Sequence, residues 1–365
     1  MPEVRLSHRQ LALLVGVLVA MAHGALGFVL AARLGPTTAG TLAFLLWVVT
    51  AWRVHALFRY RQPSRRVTHW VDLPLLCHAV AGLGALVATL AGAVTGLGAA
   101  RLGAVGYVAS FPLAAWSIWG KPRTLRVRCS AVPANFWGPS FARYRIVQLS
   151  DLHLGPFHSL RQALRWVRAA NRAAADLCVV TGDLMARGSG SVREVVAAMS
   201  ALRARDGVLV VLGNHDRQEA DPLTHALRER GVTVLRNQWH RIDRGGDELW
   251  VLGLDDWGTT AGEIGRLIGS GPEGRPFLLL AHRYDPTVPY GEPGLGLFGH
   301  THGGQIGLPW VDRWVNLFTL TGQRARGLFR LGRGWGHLSA GLGTSGPPIR
   351  FGVTPEIAVL VLRDG

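Results

Sequence analysis

Up to Gly120 the chain carries only two carboxylates, Glu3 and Asp72, while long apolar runs follow one another. Few folds suit such a stretch, because each run approaches the roughly 20 residues that a bilayer core demands of a helix. Four membrane-spanning helices are the simplest account, over residues 11–32, 38–52, 73–97 and 102–119. A secretory leader would also set Arg5 and Arg9 before an apolar core, but three further runs make a multi-span anchor more economical.

The arginines assign the sides. Arg5 and Arg9 precede the first run, Arg53, Arg59, Arg61, Arg65 and Arg66 lie between the second and third, and Lys121, Arg123, Arg126 and Arg128 follow the fourth. The other side receives Arg33 and Arg101 alone. By the positive-inside rule, both termini and everything after the fourth run face the cytoplasm. The basic loop 53–66 serves as a topology determinant and can also meet anionic lipid headgroups. His23, His78 and Cys77 fall inside these runs and read as residues packed between helices. A net charge of +16 does not call for nucleic acid, since arginines flanking the runs account for much of it. Three cysteines, Cys77, Cys129 and Cys178, offer neither a zinc-ligand spacing nor a disulfide framework.

From Tyr144 onward acids, amphipathic periods and turns appear, so the chain divides into a membrane part (1–120), a basic linker (121–143) and a globular part (144–365). There, Ser159 can cap a helix with Leu160, Leu164 and Val167 on one face, before a strand resumes at Leu177. This βαβ rhythm predicts an α/β fold. Four short apolar runs each empty into metal-capable residues: 146–149 into Asp151 and His153, 177–180 into Asp183, 208–212 into Asn214 and His215, and 277–281 into His282. In α/β proteins ligands gather at the carboxyl ends of strands. A last pair, His300 and His302, stands in FGHTHGGQ; in a β-like segment residues two apart face one side, so both imidazoles could address one point. Gly299, Gly303 and Gly304 would let the backbone approach an ion or an anionic substrate.

Taken in order, DxH, GD, GNH, H and GHxH resemble the calcineurin-like metallophosphoesterase family, and SDLHLG, GHTHGGQ and GLGTSGPPIRFG resemble its membrane-associated bacterial branch. One departure is the absence of proline two residues after His282. The resemblance implies two stacked β-sheets flanked by helices and two divalent ions. Such ions clamp a phosphate and need a bridging carboxylate, for which Asp183 is the candidate. By the same resemblance Asp151, His153 and His302 complete one ion site, Asn214, His282 and His300 the other, and His215 protonates the leaving group. Manganese, iron or zinc suits this donor set better than calcium. Asp216 could orient His215 or cap the next turn; Asp255 and Asp256, after a strand, could support the site residues from behind, though solvated turn carboxylates are the commoner case, and Arg217, Arg283 and Arg350 read as surface arginines able to grip phosphate.

The expected activity is hydrolysis of a phosphoester or pyrophosphate. Four spans suggest a lipid-linked substrate met at the headgroup layer, and the resemblance makes UDP-diacylglucosamine the first candidate. The alternatives are a hydrolase of soluble phosphodiesters or nucleotides that is merely tethered, a nuclease, and a regulatory metal-binding membrane protein without turnover.

Overall fold

The computed structural model describes residues 8–57, 64–133, 137–308, 316, 319 and 323–363. The chain forms two compact units: Met1–Pro122 with Leu320–Gly322 and Gly346–Arg350, and the remainder from Arg123. Arg5, Arg59 and Arg61 lie outside the described residues.

The first unit is helical. Helices α1 (His8–Leu34) and α2 (Pro36–Leu57) are followed by α3 (Arg65–Val67), which passes through a π-helical turn at Thr68–Asp72 into α4 (Leu73–Thr95); α5 (Ala99–Ala115) follows. Segments Gly16–Leu34, Arg65–Thr95 and Ala99–Arg123 are long and apolar enough to cross a membrane. The expected second span is present as α2, a helix of 22 residues, about 33 Å at 1.5 Å per residue, and on average as apolar as α1 and α5.

Small residues let α4 and α5 meet closely. A Cβ on Gly106 would lie 2.6 Å from the Gly84 carbonyl oxygen, and one on Gly84 would overlap the Ser110 side chain. Some polar side chains among the helices are paired, whereas the buried hydroxyls of Thr50, Thr68 and Thr89 are not. Arg53 reaches across to Asp72 with Nη2 at 2.7 Å and Nε at 2.8 Å from Oδ1, and His78 Nδ1 lies 2.9 Å from the Tyr107 hydroxyl. His23 bonds the Val19 carbonyl oxygen of its own helix at 2.8 Å, and its ring stands edge-on to His78.

The second unit is the expected α/β fold with two sheets. Strands β1 (Arg126–Pro133), β2 (Arg145–Leu149), β3 (Leu177–Thr181), β4 (Val208–Val211), β5 (Thr233–Val234) and β12 (Glu356–Arg363) form one sheet in the order β1-β12-β2-β3-β4-β5. In the other, β6 (Gln238–Arg244), β7 (Asp247–Gly253), β8 (Leu278–Leu280), β9 (Leu295–Phe298), β10 (Gly327–Leu331) and β11 (Gly334–Leu338) run in the order β10-β11-β9-β8-β7-β6. Each sheet is parallel at its centre, where β2, β3 and β4 pair in one and β7, β8, β9 and β11 in the other. Strand β1 lies within the segment 121–143 expected to be a linker, and pairs in parallel with β12 over eight registered positions, Arg126↔Glu356 to Pro133↔Arg363.

Side-chain alternation makes the layers. Ile146, Leu177, Val179, Leu209 and Val211 join Val251, Leu278, Leu280, Leu295 and Leu297 in a core that draws on both sheets. The opposite faces of β2 to β4 bury Val147, Leu149, Cys178, Val180 and Val210 against α6 (Leu160–Arg172), α7 (Val192–Met199) and α8 (Ala220–Arg228). Helix α9 (Ala261–Gly269) contributes Ile264 to a third cluster with Leu252 and Leu279. Ser159 caps α6 as its position implied, its hydroxyl accepting from Gln162 N, and Thr260 and Glu263 form a capping box on α9.

Candidate metal centre

Strands β2, β3 and β9 each stop where the chain must turn sharply to present a polar side chain. Asp151, His153 and Asp183 follow with φ of 54°, 47° and 52°, and His300 and His302 after β9 have φ of 70° and 51°. Non-glycine residues rarely adopt left-handed φ, and five in one site are held there by their surroundings. The backbone is therefore not β-like at His300 and His302, as the two-residue spacing had suggested. Thr301 turns the chain, a 3₁₀ turn opens at His302, and the two imidazoles go to different groups.

One group is Asp151, His153 and His302, with His153 Nε2 3.1 Å from His302 Nε2 and His302 Nε2 3.5 Å from Asp151 Oδ1. Another is Asp183, His282 and His300, in which His300 Nδ1 stands 3.2 Å from His282 Nε2. Asp183 joins them. Its Oδ2 lies 3.4 Å from His153 Nε2 and 3.2 Å from His282 Nε2, while its Oδ1 accepts the His215 backbone N–H at 2.8 Å. His153, Asp183 and His215 also form a group of their own. Asn214, on the same loop as His215, has a buried Oδ1 without a hydrogen-bond partner, an acceptor left open as an ion ligand would be.

Imidazole tautomers follow from the neighbours. His282 Nδ1 donates to the Thr181 carbonyl oxygen at 2.9 Å, which aims Nε2 at Asp183. His215 Nδ1 accepts the Arg187 backbone N–H at 3.3 Å, so the neutral ring keeps its proton on Nε2. That ring stands perpendicular to His153, with centroids 4.6 Å apart.

Burial is the largest influence on most of these groups, and it sorts them. It pushes Asp151 up to about 7, against the charge of His282, and takes His300 down to about 3, with His282 adding to the effect. His153 falls well below the ordinary histidine value, and His215 falls too, Asp183 resisting and Arg187 assisting. At Asp183 burial is overcome by His282 and His153, which hold the carboxyl well below its usual range. At His282 burial likewise loses to Asp183 and Asp151, and the ring is lifted to about 10. The rise at His282 and the fall at Asp183 are one attraction, and the buried carboxylates favour positive charge at the centre of the cluster as a cation would supply it.

Asp216 neither bonds His215 nor caps the next turn. Its buried carboxylate accepts from Gly213 N at 2.9 Å, Leu184 N at 3.2 Å and Met185 N at 3.1 Å, fastening the loop after β4 to the loop after β3. Gly299 comes close to Asp151, where a Cβ would lie 2.7 Å from Oδ2, but Gly303 and Gly304 abut the chain itself, at Ala340, Val353 and Asn316. Asp255 and Asp256 are not solvated turn carboxylates. Each is buried and paired, Asp255 with Arg236 at 2.9 Å and Asp256 with the guanidinium of Arg283 through two nitrogens. Arg217 is exposed as expected, whereas Arg350 is fully buried. The tail also contributes: Leu342 N donates to Ser150 O at 3.0 Å, and His158 Nε2 lies 2.9 Å from Thr344 Oγ1.

Residues 144–304 match the family model described as calcineurin-like phosphoesterase. An uncharacterized metallophosphoesterase of Bacillus subtilis, YkuE, is 28% identical over 258 residues, which cover 65% of this chain and 84% of that protein. A bovine transmembrane protein with metallophosphoesterase domain is 31% identical over 254 residues, 64% of this chain and 56% of the relative. The phosphodiesterase YaeI of Escherichia coli is 29% identical over 187 residues, 48% of this chain and 67% of the relative.

Proposed function

Starting from a chain that belongs to the calcineurin-like phosphoesterase family and is a metal-dependent phosphoesterase, we propose that it works anchored in a membrane on a phosphorylated lipid. The observation that carries the site assignment is Asp183, whose Oδ2 stands within 3.4 Å of an imidazole from each of two donor groups. Asp183 is the bridging carboxylate; Asp151, His153 and His302 complete one ion site, and Asn214, His282 and His300 the other. Their mixture of carboxylate, imidazole and amide oxygen fits manganese, iron or zinc. When bound, two such ions stabilise charge on the phosphoryl oxygens and generate a nucleophile from water at neutral pH. His215 supplies the proton to the departing oxygen from Nε2, the nitrogen that the Arg187 contact leaves protonated.

Anchoring rests on the three apolar segments and on α2, whose Leu42, Phe44, Leu45, Val48 and Val49 are all 41% or more exposed. Water rarely tolerates so much contiguous apolar surface, and lipid does. With α2 counted as a fourth span, the basic residues at 53, 65, 66, 121, 123, 126 and 128 share the cytoplasmic side, and so does the α/β unit. A basic segment there sets the site near lipid headgroups. UDP-diacylglucosamine is the first candidate substrate and phospholipid headgroups come next. A tethered hydrolase of soluble diesters is the alternative.

The test uses full-length protein in detergent micelles with manganese and compares UDP-diacylglucosamine, glycerophospholipids, cyclic nucleotides and an aryl phosphodiester. Preference for a lipid is the expected result. Faster turnover of every soluble diester would leave the helices as an anchor alone, and a carboxyl-terminal reporter active only outside the cytoplasm would reverse the orientation.

A further inference from the structure

The core between the two sheets is apolar except beneath the candidate metal centre. Along β2, Val147 and Leu149 face the helices and Ile146 faces the other sheet. Gln148 alternates onto the Ile146 side, fully buried, where an unmatched amide would be costly. It is matched on both ends. Nε2 donates to Thr181 Oγ1 and to the Phe298 carbonyl oxygen, each at 2.9 Å, and Oε1 faces His337 Nδ1 at 2.7 Å. A carbonyl oxygen only accepts, so the contact with Phe298 fixes which end of the amide is nitrogen, and His337 must then donate from Nδ1. His337, itself 1% exposed on β11, has Nε2 3.8 Å from Glu356 Oε1, and Glu356 Oε2 pairs with Arg128 at 2.9 Å.

The two acceptors of Gln148 matter for where they stand. Thr181 ends β3 two residues before Asp183, and its carbonyl oxygen takes the His282 Nδ1–H at 2.9 Å and the Ser150 hydroxyl at 3.0 Å. Phe298 ends β9 two residues before His300. One amide therefore ties together strand ends from both sheets, one leading to Asp183 and the other to the histidine of the same donor group.

We propose that Gln148, oriented by His337, is a positioning residue that sets the spacing between the Asp183–His282 pair and His300 and so tunes the affinity of that group for a divalent ion. The proposal rests on the two-ion reading of the site. A leucine at 148 fills much the same space but leaves His337 Nδ1 without its acceptor and takes one bond each from Thr181 Oγ1 and the Phe298 carbonyl, which keep Leu149 O and Ser339 N. The direct tie between the ends of β3 and β9 is then lost.

Manganese binding to the full-length protein in micelles, followed by electron paramagnetic resonance of the free ion, tests this, with turnover at low and saturating manganese measured beside it. Gln148→Leu and His337→Leu are expected to weaken manganese binding by about 10- to 100-fold, the usual effect of losing a group behind a metal ligand, with excess manganese restoring much of the turnover. His337→Asn keeps an N–H donor near the position of Nδ1 and should recover most of the affinity. Wild-type binding in Gln148→Leu, or His337→Asn no better than His337→Leu, overturns the positioning role; should Gln148→Leu fail to fold, the His337 pair decides. Wild-type protein that binds no manganese would instead sink the two-ion reading itself.

Discussion

The helical unit and the α/β unit both bury polar side chains, and they treat them in opposite ways. Among the helices the polar groups are dispersed, with Arg53 answered by Asp72, His78 by Tyr107 and His23 by its own backbone, while the hydroxyls of Thr50, Thr68 and Thr89 have no partner. In the α/β unit five imidazoles, two carboxylates and an amide crowd the ends of a few strands, with nitrogens as close as 3.1 Å and five residues in left-handed conformations. Crowding of like groups at strained positions destabilises a fold and persists where something else is gained. The contrast separates a polar group that holds helices together from one that awaits a ligand.

That contrast can be broken most sharply at His215. Replacing it with alanine should leave the fold and ion binding intact and slow turnover by about 10² to 10⁴, the range for a lost general acid. Burial pushes its pKa below the ordinary histidine value, so the doubly protonated ring is lost as pH rises through a value under that reference. The ring that donates from Nε2 is the neutral one, so the penalty of the substitution should hold level above that value and change only on the acid side, where a second proton displaces the Arg187 contact. A loss of turnover that tracks loss of bound ion would make His215 a structural residue instead.

Asp72→Ala is the converse case and the smaller effect on chemistry. It leaves Arg53, whose side chain is only 15% exposed, without its partner, which costs about 3 kcal/mol for a buried pair. Thermal unfolding in micelles should move to lower temperature while turnover per folded molecule stays at the wild-type value. An unchanged unfolding temperature would show that the pair contributes nothing to helix packing.

The two units also differ in how far their sequence could be read. Strands β2, β3, β4 and β8 are short apolar runs that each deliver a site residue, so local pattern and chemistry coincide. The helices were legible from hydropathy. Strands β1, β6, β10 and β11 escaped notice because they alternate charged or aromatic residues with glycine and apolar ones, and their pairing, not their composition, makes them strands. The histidine pair was found, but its geometry was misjudged: spacing in sequence assumes a backbone conformation, and φ of 70° and 51° belongs to neither strand nor helix. Gln148 and His337 were invisible, since their partners lie 33, 150 and 189 residues away and nothing local distinguishes a buried amide from a surface one. Asp216 was noticed for the wrong reason, because its acceptors' partners are backbone N–H groups on two separate loops.

The central claim is that Asp183 joins two donor groups into one two-ion centre. The most direct measurement is the number of manganese ions bound per chain at saturation, by equilibrium titration of full-length protein in micelles, for the wild type and for Asp183→Asn. The account predicts two ions per wild-type chain and loss of both tight sites in the variant. One ion per wild-type chain, or two ions bound as tightly by Asp183→Asn, would contradict it.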